Sequence, residues 1–126
     1  MTRPLRILVA DDNPLNLRVA ANVVRGMEHS GVLVTNGSQV ISAMEKEPFD
    51  LVLLDVTMPE MDGLSALRHI RVQEQQGAKH TPVIMVTAHD SPSDKSMLLA
   101  AGADGYLAKP LEAQQLQAEL DRLFGV

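Results

Sequence analysis

Short aliphatic runs recur along this chain, mostly continuous rather than alternating: Leu5 to Ala10, Val32 to Thr35, Leu51 to Leu54, Val83 to Val86 and, more weakly, Gly105 to Ala108. A strand with one wet face alternates apolar and polar residues, whereas a strand covered on both faces reads as an unbroken apolar run. Stretches of helical period separate the runs. Asn13 is placed to cap a helix with Pro14 at its first position, followed by Leu17, Ala20, Ala21, Val24 and Met27 at spacings of three and four. Asn36 with Gln39 resembles a capping box ahead of Val40, Ile41 and Met44. Leu64, Leu67 and Ile70 begin a third helix just after Gly63. Ser91-Pro92 opens a fourth, which carries Met97, Leu98 and Ala101 and stops near Gly102. Leu116, Leu120, Leu123 and Phe124 stripe the last. Five strands alternating with five helices predict an α/β fold, a single doubly wound parallel sheet, because parallel neighbours need crossover connections. The expected order, 2-1-3-4-5, is carried over from known sheets of this kind. It puts a site at the carboxyl ends of strands one and three, where the winding reverses.

The 126 residues suit one domain over 1–126, with a core made aliphatic by an aromatic content of only 2%. A net charge of −5, with no basic run, argues against nucleic acid as a direct partner. The absence of cysteine excludes disulfides, thiolate metal sites and cysteine nucleophiles. The start, Met1-Thr2-Arg3-Pro4, has no signal-peptide core and reads as a native beginning. No apolar stretch approaches the roughly 20 residues needed to span a bilayer, so the expected location is the cytoplasm, with no membrane partner.

The residues that end the buried runs carry the chemistry. The first run ends in Asp11-Asp12, the third in Asp55, the fourth in Thr87, and the fifth is followed by Lys109-Pro110. In a parallel sheet these ends share one edge. Any one of them alone is an ordinary cap or turn residue. Together they gather three carboxylates that repel one another and lose hydration, which requires counter-charge. Lys109 supplies part of it, and a hard divalent cation on an all-oxygen site suits the remainder. The turn Ala10-Asp11-Asp12-Asn13-Pro14 would repel an unaccompanied nucleotide phosphate. There is no G-x-x-x-x-G-K-[ST], no G-x-G-x-x-G and no G-x-S-x-G, and His29, His69, His80 and His89 lack zinc-type spacing.

Val9-Ala10-Asp11-Asp12-Asn13, the stretch from Leu53 through Asp55 to Gly63 (LLDVTMPEMDG), Val86-Thr87-Ala88, and the stretch from Gly102 to Pro110 (GADGYLAKP) resemble the receiver domain of two-component response regulators. The likeness covers essentially the whole chain, in order. It implies the flavodoxin-like receiver fold and a set of roles. Asp55 is the implied phosphoacceptor. Asp11 and Asp12 are the implied acidic pair that holds Mg²⁺ (Mn²⁺ being the alternative), Asp12 the more direct ligand, with Asp55 and the backbone carbonyl of Thr57. Thr87 and Lys109 would reach the phosphoryl oxygens, Lys109-Pro110 would be cis, and Tyr106 would be the aromatic switch that follows Thr87. Thr57 and His89 occupy the variable places that tune phosphoryl lifetime.

The resemblance implies a signalling phosphoacceptor, not an enzyme with a separate substrate, that takes its phosphoryl group from a histidine kinase or histidine phosphotransfer protein. Its output would be a protein target or a self-dimer, through the face built by the fourth helix, fifth strand and fifth helix. No output module follows Val126, so either partner binding is the output or the chain is cut from a longer one. Asp12-Asn13-Pro14-Leu15-Asn16 is similar to receivers of hybrid kinases and phosphorelays. Two other readings compete. A haloacid-dehalogenase-like phosphohydrolase needs a second acid two residues after its nucleophile, which Asp55-Val56-Thr57 lacks. A degenerate receiver that binds partners without phosphorylation is opposed by the complete set Asp11, Asp12, Asp55, Thr87 and Lys109.

Overall fold

The computed structural model describes residues 4–56, 62–77, 79–88 and 91–125. Strands and helices alternate throughout: β1 (Arg6–Ala10), α1 (Pro14–Gly26), β2 (Ser30–Val34), α2 (Gly37–Lys46), β3 (Leu51–Asp55), α3 (Gly63–Gln75), β4 (Val83–Thr87), α4 (Pro92–Ala100), β5 (Gly105–Ala108) and α5 (Ala113–Phe124). The five strands are parallel in the order β2-β1-β3-β4-β5, as expected. No helix among the described residues is long and apolar enough to cross a membrane.

The unbroken apolar runs are explained by two cores, one on each face of the sheet. Ile7, Val9, Leu51, Leu53, Ile84, Val86 and Leu107 pack with Leu17, Ala20 and Val24 of α1 and Leu116 and Leu120 of α5. The intervening residues Leu8, Ala10, Val52, Leu54, Val83 and Met85 pack with Val40 of α2, Ala66, Leu67 and Ile70 of α3, and Leu98 of α4. Successive side chains of a strand point to opposite faces, so only continuous hydrophobicity serves both layers.

The reading of the continuous runs as strands buried on both faces holds for β1, β3 and β4 and does not extend to the two edge strands. β2 is mostly exposed, with Leu33 open to solvent, and β5 alternates buried and half-buried residues. Edge strands have a neighbour on one side only, so the helical layers cover them partially. Met97 also leaves the expected core of α4: it is 48% exposed, and Leu98 is that helix's buried residue.

Local chemistry sets the helix starts. Asn13 caps α1 by accepting from Leu15 N–H at 2.8 Å and Asn16 N–H at 3.2 Å, with Pro14 next. Asn36 caps α2 through Gln39 N–H at 2.9 Å. Gln39 returns a bond to Thr35 N–H at 2.7 Å, one residue earlier than a capping box requires. Asp62, which the periodicity reading passed over, caps α3 through Ser65 N–H at 2.8 Å. Ser91 caps α4 through Asp94 N–H at 3.2 Å.

At the amino edge of the sheet, Arg71 of α3 joins three segments. It donates to Gly102 C=O at 2.8 Å and Thr81 C=O at 3.0 Å, and pairs with Glu74 at 2.8 Å and Asp104 at 2.7 Å. Asp104 also accepts the Val83 N–H at 2.8 Å, so the turn before β5 is tied to the start of β4. Both carboxylates are largely buried beside Arg71. Arg71→Met leaves the two carboxylates with only His80 and backbone N–H partners and removes Arg71's bonds to two carbonyls, and is expected to cost about 2–4 kcal/mol, below the fully buried case because water reaches the rim. The drop in urea midpoint measures it; a change under about 0.5 kcal/mol would contradict the assigned role.

Candidate functional site

The expected residues meet at the opposite, carboxyl edge. Asp55 ends β3 and Thr87 ends β4, each one residue inside the strand rather than beyond it, and Asp11 follows β1. The three are 4%, 3% and 6% exposed, whereas Asp12 faces solvent. One carboxylate oxygen each from Asp11, Asp12 and Asp55 lie within 4.8 Å of one another. Lys109, directly after β5, reaches back across the edge. Its Nζ stands 2.9 Å from Asp55 Oδ1 and 3.2 Å from Asp11 Oδ2.

Backbone bonds fix this arrangement. Asp11 N–H donates to Val34 C=O at 3.2 Å, and Asp11 Oδ1 accepts the Asn13 N–H at 2.9 Å. Asn13 therefore closes the turn on Asp11 with its backbone while starting α1 with its side chain. Lys109 N–H donates to Thr87 C=O at 2.9 Å, and the Lys109–Pro110 peptide is cis, as the resemblance implies.

Gly63 plays a part that periodicity could not show. Its N–H donates to Val56 C=O at 2.9 Å, and a Cβ there would collide with the Asp55 carbonyl oxygen and sit 3.0 Å from Val56 Cα. Only a residue without a side chain lets the start of α3 come this close to the backbone of Asp55. The signal available in the sequence was the pair Asp62-Gly63, cap and first residue, immediately before the apolar stripe.

The pleat divides the set between the two faces. Asp55 continues the Leu51, Leu53 series that faces α1 and α5. Thr87 continues the Val83, Met85 series that faces the other layer, and Tyr106, half-buried on β5, packs into that same layer. Met85 and Tyr106 are register partners, as are Thr87 and Ala108. Asp55 and the two switch candidates thus lie on adjacent strands but on opposite faces of the sheet. Thr57 and His89 lie outside the described residues, as does the Met58 to Met61 part of the motif.

The electrostatics are set by three carboxylates against one ammonium. Burial pulls the Lys109 pKa down, but hydrogen bonds and charges from Asp55 and then Asp11 outweigh it. The net effect is a value above the ordinary 10.5, so Lys109 is charged at neutral pH. The remaining negative charge, on an oxygen-only donor set with one member open to solvent, fits a hard divalent cation.

A family model described as the response regulator receiver domain matches residues 7–121. Sensor protein GacS of Pseudomonas syringae pv. syringae is 40% identical over 116 residues, which cover 91% of this chain and 13% of that protein. Histidine-protein kinase BarA of Escherichia coli (strain K12) is 39% identical over 112 residues, covering 89% of this chain and 12% of the kinase. The chain thus spans about an eighth of the length of these relatives. Among solved structures, the receiver domain of sensor histidine kinase PA1611 from Pseudomonas aeruginosa PAO1 superposes with a TM-score of 0.86 at 35% identity, covering 98% of this chain and 100% of that one. That structure is described with a magnesium ion coordinated in its active-site cleft.

The charge balance has a testable sign. A lysine whose folded pKa lies above its unfolded value stabilises the fold fully below the unfolded value, and that stabilisation fades as pH rises through the folded one. Wild-type stability, followed by urea unfolding without divalent cations, is expected to fall as pH rises above about 10.5. Lys109→Met should lose about 1–3 kcal/mol at pH 7 and show a flatter alkaline limb. Identical limbs in the two proteins would contradict the pairing.

Proposed function

This chain belongs to the response regulator receiver domain family, and on that premise we propose that Asp55 accepts a phosphoryl group from a partner's phosphohistidine. The observation that carries this reading is a buried Asp55 whose Oδ1 lies 2.9 Å from the Lys109 ammonium, inside a cluster of three carboxylates. A carboxylate carries its charge at neutral pH, so no general base is needed. An Asp55 oxygen forms the new O–P bond as the P–N bond of the phosphohistidine breaks, and the electron pair leaves with the imidazole nitrogen. Lys109 keeps its proton and pairs with the phosphoryl oxygens, which is the stabilisation that phosphoryl transfer asks of a protein.

Mg²⁺ suits the donor set, held by Asp11, Asp12 and Asp55 with the Thr57 carbonyl as the resemblance implies, and Mn²⁺ is the alternative. When bound, it supplies charge neutralisation at the phosphoryl oxygens. The magnesium described in the cleft of the PA1611 receiver supports the choice.

Phosphorylation adds about −1.5 to −2 charges beside Thr87. Thr87 moves toward the new oxygens, and Tyr106 follows into the space on its face of the sheet. The surface of α4, β5 and α5 then carries the signal to a protein target or a second copy of the chain. The curated relatives, named as sensor proteins and kinases of much greater length, favour a receiver of the hybrid-kinase kind over residues 1–126, with a histidine kinase or phosphotransfer protein as donor.

Intact-protein mass after incubation with acetyl phosphate and Mg²⁺ tests the reading. One labile phosphoryl adduct is expected in wild type, with none in Asp55→Asn or in the presence of EDTA. No adduct from acetyl phosphate, phosphoramidate or a phosphorylated histidine donor would instead make the chain a phosphorylation-independent binding module.

A further inference from the structure

The side chain that faces Tyr106 from α4 is a lysine. Lys95 Nζ lies over the Tyr106 ring, 5.0 Å from its centroid. A cation within about 6 Å of an aromatic face is attracted by the ring's quadrupole. Among the described residues Lys95 enters none of the ion pairs. The neighbouring acid, Asp94, is engaged by the Ser91 hydroxyl at 2.7 Å.

This contact joins a helix with a single buried residue to an edge strand. α4 has one buried residue, Leu98, while Met97 and Leu99 are 48% and 47% exposed. β5 is an edge strand of four residues. The helix is anchored at its start by the Ser91 cap, and Lys95 N–H donates to Ser91 C=O at 3.0 Å, which places Lys95 on its first full turn. Tyr106 is half-buried in the layer that holds Met85 and Leu98, on the face of the sheet along which β4 runs to Thr87, and Lys95 covers its ring.

We propose that Lys95 is a positioning residue for the switch, a cationic latch that holds Tyr106 outward and opposes its movement toward Thr87. The proposal rests on the phosphoacceptor reading above and names a regulator of that site. Its logic is a population shift. A contact made in only one of two ring orientations biases the equilibrium by its own free energy, and phosphorylation must overcome that bias. Because binding and conformation are linked, removing the latch also makes Asp55 easier to phosphorylate.

The sequence supplies the probe. Tyr106 is the only tyrosine and there is no tryptophan, so 3-fluorotyrosine labelling gives a single ¹⁹F signal from the switch. The experiment compares wild type, Lys95→Met and Lys95→Arg, before and after acetyl phosphate with Mg²⁺, with adduct formation followed by intact mass. Lys95→Met is expected to move the unphosphorylated resonance toward the phosphorylated position. It should also raise the initial rate of adduct formation about two- to fivefold, the size of a partly exposed cation–π contact. Lys95→Arg, which keeps a cation over the ring, should resemble wild type. A wild type that takes an adduct normally while Lys95→Met matches it in resonance and rate overturns the latch alone. A wild type that takes no adduct overturns the phosphoacceptor reading, and the latch with it.

Discussion

The reach of Lys109 to Asp55 and Asp11 is the interaction on which the rest of the functional edge depends. Two buried carboxylates and an exposed third stand together where hydration is poor, and their repulsion opposes the fold. One ammonium, about a fifth exposed, sits between the buried pair. It balances part of the charge and leaves a deficit. That deficit is what a divalent cation can meet, and an incoming phosphoryl group, itself anionic, adds to it. The backbone around it is correspondingly constrained: the Asn13 N–H holds Asp11, the Thr87 carbonyl holds the Lys109 backbone, and Gly63 admits α3 close against Asp55.

The pleat then puts the proposed phosphoacceptor and the proposed switch residues on opposite faces of the sheet. Asp55 follows the residues that face α1 and α5, while Thr87 and Tyr106 face the layer that contains α4. On the proposed reading, a charge change at Asp55 would be read on the other face through Thr87, the last residue of β4. The helix on the reading side is held by one buried residue and by contacts such as that of Lys95 with Tyr106. A weakly anchored element is the kind that a local charge change can move. The amino edge is built differently. There the pairing of Arg71 with Asp104 and Glu74 ties α3 to β4 and the turn before β5.

Most of this architecture was legible in the residues. Continuous runs identified the central strands because residues of either parity meet a hydrophobic layer, and Asn13-Pro14 and Ser91-Pro92 marked helix starts because caps act locally. The carboxylate cluster followed from strand ends sharing an edge. What stayed hidden depends on distant neighbours. The exposure of β2 follows from its place at the edge, which its own sequence does not encode. The task of Gly63 follows from a close approach between segments, and the reach of Arg71 to Thr81, Gly102 and Asp104 from groups that only folding brings together. The face on which each site residue lies needs the strand's exact end, and Asp55 and Thr87 proved to be inside their strands.

The central claim is that one particular carboxylate of three carries the phosphoryl group, and chemical trapping tests it most directly. The protein is treated with acetyl phosphate and Mg²⁺, then with borohydride, which reduces an acyl phosphate to the alcohol, and the modified residue is located by tandem mass spectrometry. The account predicts homoserine at position 55 alone, and none when acetyl phosphate is omitted. Reduction at position 11 or 12, or a phosphoryl adduct that survives borohydride on a histidine or hydroxyl side chain, would contradict it.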